Sequence, residues 1–523
     1  IDRDRTKCLL KAEKRCRKKR MGAVQFSLAT EQPRREIAFW KLAISRRKKA
    51  KVSKQMWKRK KQKARITEPI DQLHINDMYE RLKLSTKQYR IAKKQHRDSR
   101  LKWIETFPAK DRKRIAKCEE QRELGRQARW IAGKLENKNV TTVIDSDGQQ
   151  LDQPNEIFQA VMRVNEDKMR EAEQDKTDFM TSPLLDDFGY DANTEKVEQV
   201  LNGTYEIPQG TSEAAQHFLT MLLKPANVTA SKHQVSTTIS TEEHSRAWRK
   251  AKERTSAGKS GLHFGIFKAN AEHPILAPLD ASMRSVAYST GYIYNRWRTG
   301  VDVQILKRSQ DYRIQKLRTI LQLEADFNMN NKKLNRDVSW KAEQDGSFAR
   351  ENYGGRKKLR AVEISLNQHL TFNSIWARRG RAIIISNDAK GCFDRMAHVA
   401  ALLCMLKMGG PKAPLQGIIN AIGSMKHYVR TAFGDSDGYY GGKSDVPLQG
   451  WLQGNGMAGL AWSSISAVMV QIMKEHGYGY EQWTAISKRA IEITAYAFVD
   501  DTDLIHSCNN PETTSQELIN EAQ

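Results

Sequence analysis

The apolar positions of this chain change their period along its length. From Met396 to Leu406 the residues Val399, Leu402, Leu403 and Leu406 fall at helical spacing, and Gly409-Gly410-Pro411 ends the run. Just before it, Ala382-Ile383-Ile384-Ile385-Ser386 predicts a short strand that ends on Asn387-Asp388. The unit reads as strand, acidic turn, helix. Farther along, Ile493 to Val499 predicts a second strand and Leu504-Ile505-His506 a third. Asp500-Asp501 lies between them and predicts a tight hairpin with both carboxylates at its tip. From Thr241 onward helical stretches alternate with short β-branched runs and Gly-rich turns, which predicts an α+β domain.

Charge divides the 523 residues unevenly. Lys and Arg number 88 against 61 Asp and Glu, a net +27 that points to a polyanionic partner, nucleic acid before an anionic membrane. Residues 1–70 hold 25 basic and 6 acidic residues, in runs interleaved with Phe39, Trp40 and Trp57, and predict helices with a basic face. Residues 141–220 reverse the sign, with 5 basic and 17 acidic residues, and predict a boundary or a separately packed segment. The six cysteines form no C-x-x-C pair, so neither a zinc finger nor a disulfide framework is expected, and a reducing compartment fits. No apolar run reaches membrane-spanning length and no signal peptide opens the chain, so an intracellular protein is expected and the sequons at Asn139, Asn202 and Asn227 are read as accidental.

The carboxylates carry the candidate chemistry. Phosphoryl transfer to a 3′-hydroxyl uses two hard cations held by carboxylates that converge from separate segments, and Asp388 and Asp500 could supply that pair. Asp-Asp at a hairpin alone is ordinary turn chemistry. The joint order of strand-Asp-helix, Gln-Gly loop and hydrophobic-Asp-Asp-hydrophobic is more specific.

Asp388-Ala389-Lys390-Gly391-Cys392-Phe393-Asp394 resembles the first palm motif of reverse transcriptases, and Phe498-Val499-Asp500-Asp501 resembles their aromatic-x-Asp-Asp motif. The resemblance implies that Asp388, Asp500 and Asp501 are catalytic and bind two Mg²⁺ ions, or Mn²⁺. It implies that Phe393 lies under the sugar and excludes a ribose 2′-hydroxyl, which favours dNTPs over the substrates of an RNA-dependent RNA polymerase. Asp394 and Asp503 are read as structural or surface residues. In Pro447 to Gly459, Gln453-Gly454 resembles the Gln-Gly of the second palm motif. Ala458-Gly459 stands where Ser-Pro is usual, so Gln449-Gly450 is a rival register. Lys307 and Arg318, with Lys332-Lys333, resemble basic fingers residues that meet the triphosphate, without the usual Pro after the Arg. Glu351-Asn352-Tyr353-Gly354-Gly355-Arg356 resembles the family's Gln-Tyr-Gly segment, and Ser256 to Gly265 the Gly-rich stretch that opens the fingers. That stretch is no P-loop, because Glu253 occupies the first Gly position and no strand leads in. His263, His398 and His506 have no ligand spacing.

The layout is similar to the polymerase portion of a non-LTR retrotransposon protein, with a group II intron type reverse transcriptase as the near alternative. The expected fold is a right-hand polymerase fingers and palm, an antiparallel palm sheet with packed helices, preceded by a basic helical region. The expected division is 1–140 as a nucleic-acid-binding arm, 141–240 as an acidic linker or small helical segment, 241–380 as fingers and 381–523 as palm. The resemblance implies an RNA template, a DNA primer or target, no membrane, and work in the nucleus. Because the chain opens on Ile1 and stops soon after the Asp-Asp pair, it is expected to be a fragment without a thumb. A catalytically dead remnant that only binds nucleic acid is therefore the second hypothesis.

Overall fold

The computed structural model describes residues 1–15, 28–47, 52–94, 140–225, 234–253, 255–256, 258–308, 310–389, 391–484, 486–508 and 513–522. They fall into two units: Cys16–Glu136, and a main unit that joins Ile1–Arg15 to Asn137–Gln523.

The smaller unit is described over three helices, Leu28–Arg47, Lys54–Ala64 and Ile75–Lys94. Ser53 caps the second, its Oγ accepting from the Met56 amide at 3.2 Å, and Arg65 ends it in a left-handed conformation. The helices close on Phe39, Trp40, Ala43, Ile44, Ala64, Ile70 and Met78. Phe39 and Trp40 are buried, and half-buried Trp57 lies under the Arg46 guanidinium at 4.5 Å. The aromatics interleaved with the basic runs thus hold the helices together and offer little free face for stacking on bases. The runs at 16–20 and 48–51 lie outside the described residues, as do Asn139 and Asn227.

The main unit is α+β, with helices packed on largely antiparallel sheets. The elements that matter below are α1 (Asp2–Arg15), α2 (Pro154–Gln174), α3 (Ala325–Asp345), α4 (Ala361–Ala377), α5 (Cys392–Arg395), α6 (His398–Lys407) and α7 (Ala458–Glu475). The strands are β1 (Thr299–Leu306), β2 (Leu317–Gln322), β3 (Arg381–Asp388), β4 (Lys426–Thr431), β5 (Gly434–Asp435), β6 (Tyr440–Gly441), β7 (Ala495–Phe498) and β8 (Asp501–Cys508). One sheet runs β2-β1-β4-β5, with β6 also on β4; its β1–β4 pair is parallel and the others are antiparallel. The second is β7-β8-β3, antiparallel throughout. Tyr496 and Ile505 of this sheet cluster with Ile364 and Ile375 of α4.

Two expected boundaries change. Helix α1 was expected in the basic arm, yet Arg5 pairs with Asp280 at 2.9 Å, Asp2 with Arg296 at 2.9 Å and Glu13 with His263 at 2.7 Å, all within the main unit. The acidic stretch, expected as a linker or a small helical segment, is helical and packed into the main core. In α2, Ile157, Val161 and Met169 recur on one helical face, and with Leu184, Phe188 and Leu219 they share one core with Leu402, Leu403 and Leu460. Its carboxylates answer bases elsewhere in the unit: Glu198 pairs with Lys412 at 2.8 Å, and Glu171 with Arg395. Among the described residues no helix is long and apolar enough to cross a membrane.

Candidate functional site

Register decides where the carboxylates stand. In the β8–β3 pair Asp501 is directly opposite Asp388, and in the β7–β8 hairpin Phe498 is opposite Asp501, which leaves Val499-Asp500 as a two-residue turn. Directly opposed residues share a sheet face with Cβ atoms roughly 4.5–5.5 Å apart. Asp388 and Asp501 are exposed and Asp500 is partly buried. The Ala389 amide reaches the Asp500 carbonyl at 3.5 Å, a long contact that closes the turn over the end of β3. Among the described residues, no side chain or amide donates to the three carboxylates and no cation pairs with them. The buried Cys392 thiol registers their field: burial raises its pKa first, then the charges of Asp500, Asp394 and Asp388. Among the described residues no group of three or more His, Cys, Asp or Glu side chains is close enough to hold a metal ion by itself.

The turn is held from outside. Val499 has φ +59°, a conformation that costs a β-branched residue roughly 1–3 kcal/mol. Trp462 Nε1, on α7, donates to the Val499 carbonyl. Gly354 packs so tightly that a Cβ there would collide with the Val499 backbone nitrogen. Just before it the Tyr353 amide donates to Ala497 O at 2.8 Å and the Ala497 amide to Glu351 O at 3.0 Å. Arg356 secures this segment through Glu343 at 2.7 Å and the carbonyls of Ala349 and Asn352 at 2.8 and 2.9 Å. Asp503 accepts from Ser386 at 2.5 Å and Gln368 at 2.9 Å, as its structural reading requires.

The Gly-rich loop shows how its two Gln-Gly pairs differ. Gln449 is buried: its Oε1 accepts from the His398 amide at 2.9 Å and its Nε2 donates to Pro447 O at 3.1 Å. Gln453 is only partly buried, and its carbonyl accepts from the Leu321 amide of β2 at 2.8 Å. Gly454, at φ +116°, lies against Leu321 so closely that a Cβ would collide with the carbonyl there. Asn328, Asn331 and Asn335 on α3 clamp the loop, donating to Gly454 O at 3.1 Å, Asn455 Oδ1 at 2.9 Å and Gly456 O at 2.7 Å. The sequence reading missed these asparagines, though their recurrence at helical spacing was visible. Phe393 is partly buried against the main core, and its carbonyl accepts from the Trp451 and Leu452 amides at 2.7 and 3.1 Å. The loop is thereby tied to the segment that follows Asp388.

Lys307 and Arg318 come together at one end of the β1–β2 hairpin, where Ile305 opposes Arg318 and Leu306 opposes Leu317. Both are exposed, and neither has an ion pair or hydrogen bond among the described residues. The alternation of β2 turns Arg318 to the face opposite Thr319 and Leu321, so no contact joins it to Gln453. Lys333 is different. It is buried and paired with Asp337 at 2.6 Å and Glu243 at 3.1 Å, which removes it from the expected triphosphate contacts. The Ser256–Gly265 stretch is also structural, with Ser260 Oγ donating to the buried Glu324 carboxylate at 2.5 Å. His263 is occupied by Glu13, and His398 is buried with Nε2 2.8 Å from Gly450 O, its pKa lowered by that burial to about 4.

In comparison with known proteins, no family model matches the chain and no curated protein matches it.

Proposed function

We propose that the main unit is a template-directed nucleotidyltransferase of the right-hand polymerase kind, with β3, β7 and β8 as its palm sheet and β1, β2 and α3 among its fingers. Within that class the reading is a reverse transcriptase of the non-LTR retrotransposon type. It would add dNTPs to a DNA 3′-hydroxyl on an RNA template, in the nucleus, with no membrane partner.

One observation carries this reading: Asp388 opposes Asp501 across the sheet with Asp500 in the adjoining turn, and none of the three carboxylates has a hydrogen-bond or ion-pair partner among the described residues. Two separate chain segments thus spend three carboxylates on one sheet end with nothing to neutralise them. Such all-oxygen donors suit hard cations, which keep several waters and complete their shell with substrate phosphates, so a full protein cage is not required. Asp388, Asp500 and Asp501 would hold two Mg²⁺ or Mn²⁺ ions. When bound, these supply charge neutralisation at the triphosphate and a more acidic 3′-hydroxyl.

The chain's own residues do the rest. The hairpin, pinned by Trp462 and Gly354, fixes the carboxylate spacing. Phe393 would be the bulky ring that rejects a 2′-hydroxyl, Gln453-Gly454 would lie beside an incoming base, and Lys307 and Arg318 would meet triphosphate oxygens. The test is incorporation of dNTPs on an RNA template annealed to a DNA primer with Mg²⁺, by the wild type and by Asp500→Ala. Incorporation should vanish in the variant while RNA binding persists. Equal incorporation would sink the metal assignment, and binding without incorporation by the wild type would favour a remnant that only binds nucleic acid.

A further inference from the structure

Behind the loop that carries Gln453 the main unit holds a cavity of about 10 Å³ whose walls include Asn165, Lys168, Asp302, Thr319, Asp394 and Gln453. That is room for about one water molecule, and the walls are mostly polar. Two of the polar groups are deep in the interior and lack a complement. Asp302, on β1, is fully buried; its Oδ2 accepts from the Tyr440 hydroxyl at 2.6 Å and from His427 Nδ1 at 3.0 Å, whereas its Oδ1 has no partner among the described residues. Asn165, on α2, is 4 % exposed; its Oδ1 accepts from the Thr319 hydroxyl at 3.1 Å, whereas its Nδ2 has no partner among the described residues.

These two atoms are of opposite kind. One is a carboxylate acceptor and the other an amide donor, and a buried group of either kind is costly when left unmatched. They come from different elements and front the same cavity, yet no hydrogen bond joins Asn165 to Asp302. A single water molecule donates and accepts at once, so it answers both within the space there is. A metal ion is the other occupant that a carboxylate can attract. The walls argue against it, because the unmatched atom of Asn165 carries protons where a cation needs a lone pair, and Lys168 lines the same space.

We propose that this cavity is a binding site for one structural water, which accepts from Asn165 Nδ2 and donates to Asp302 Oδ1, with Asp394 and Gln453 on the same walls as acceptors for its second proton. The water completes the set of partners that Asp302 needs as a buried charge. It also joins α2 to β1 where the side chains alone do not meet. The helix of the acidic stretch is then held by a polar joint in addition to its apolar face, and the loop bearing Gln453 closes over that joint. None of this depends on the polymerase reading.

The direct test is a crystal structure of the protein at a resolution that shows ordered water, with a second crystal soaked in Mn²⁺. One peak should lie within about 3.2 Å of both Asp302 Oδ1 and Asn165 Nδ2, and it should carry no anomalous signal after the soak. A cavity without density, a direct hydrogen bond between Asn165 and Asp302, or an anomalous peak overturns the proposal. In solution the bridge shows as coupling between two residues that do not touch. Asn165→Leu, which removes the donor at similar volume, should lower the folded-to-unfolded ratio in urea about tenfold. In an Asp302→Ala background the same change should lower it only about threefold, the part owed to Thr319, because the water has already lost its acceptor. Equal losses in the two backgrounds overturn the bridge. Where Asp302→Ala does not fold, the crystal structure decides alone.

Discussion

The two main sheets treat their aspartates in opposite ways. In the β2-β1-β4-β5 sheet Asp302 is fully buried, and Tyr440 and His427 hydrogen-bond its Oδ2. At the end of the β7-β8-β3 sheet Asp388, Asp500 and Asp501 stand side by side with no donor and no cation among the described residues. A buried carboxylate is retained in a fold only with partners, because an unpaired one costs several kcal/mol. Like charges directly opposed on neighbouring strands destabilise the sheet that carries them. The first arrangement serves the fold and the second works against it, and that contrast makes the second the candidate site.

The largest test of this contrast is Asp388→Ala or Asp500→Ala. Either should lower nucleotide incorporation by roughly a thousandfold or more, the scale seen when one electrostatic stabiliser of a transition state is removed. Urea unfolding of the main unit should be unchanged or shifted to higher stability. A variant that keeps its activity, or that unfolds far more readily, would place these residues with Asp302 instead.

Asp302→Ala should do the reverse. It removes a buried charge with two hydrogen bonds and strands Tyr440 and His427, for a loss of about 3 kcal/mol in unfolding free energy. The β1–β4 pair should feel it first, because Asp302 and His427 sit on those strands. Wild-type stability in this variant would mean that the network contributes nothing and that the contrast fails on its structural side.

How far this division was legible in the sequence follows from the range of the interactions involved. The strand at 382–386, the helix after Met396 and the Asp-Asp hairpin rest on local pattern, and all three are present within a residue or two. The pairing of Asp388 with Asp501 was readable only as an expectation of convergence, because register between segments more than a hundred residues apart is set by packing. Gln449 and Gln453 could not be told apart locally. Their difference comes from His398 on one side and from β2 on the other. The acidic stretch read as a linker or a small helical segment because its charge was conspicuous, and that charge obscured the apolar face of α2 that joins it to the core. The aromatics interleaved with the basic runs gave no local sign of burial, yet Phe39 and Trp40 are the core of a small helical unit.

Asp394 lies between the two classes, partly buried and with no hydrogen bond to its carboxylate among the described residues, and pH should expose this. Its folded pKa of about 6 exceeds the unfolded value near 3.8, so the native state binds the proton more tightly than the unfolded chain does. Protonated Asp394 therefore favours folding, and its contribution declines as pH rises from about 4 through about 6. Asp394→Asn removes that dependence. Relative to the wild type, the variant should gain on the order of 2 kcal/mol between pH 4 and pH 7, read from urea midpoints. A constant difference across that range would show that the carboxyl is charged and well solvated throughout.

Asp501→Asn is the smallest and most discriminating case. With chelator present it should raise stability by about 0.5 kcal/mol, because one of two opposed carboxylates is gone. With Mg²⁺ in excess the order should narrow or invert, since a ligand that binds the folded state alone stabilises it by mass action and the variant has lost a donor. This needs no nucleotide and no template, so it separates cation binding from polymerisation. Equal Mg²⁺ dependence in both proteins would remove Asp501 from the ion site. A loss of stability in chelator would show that its carboxylate belongs to the fold after all, which would reduce the asymmetry between the two sheets to Asp388 and Asp500.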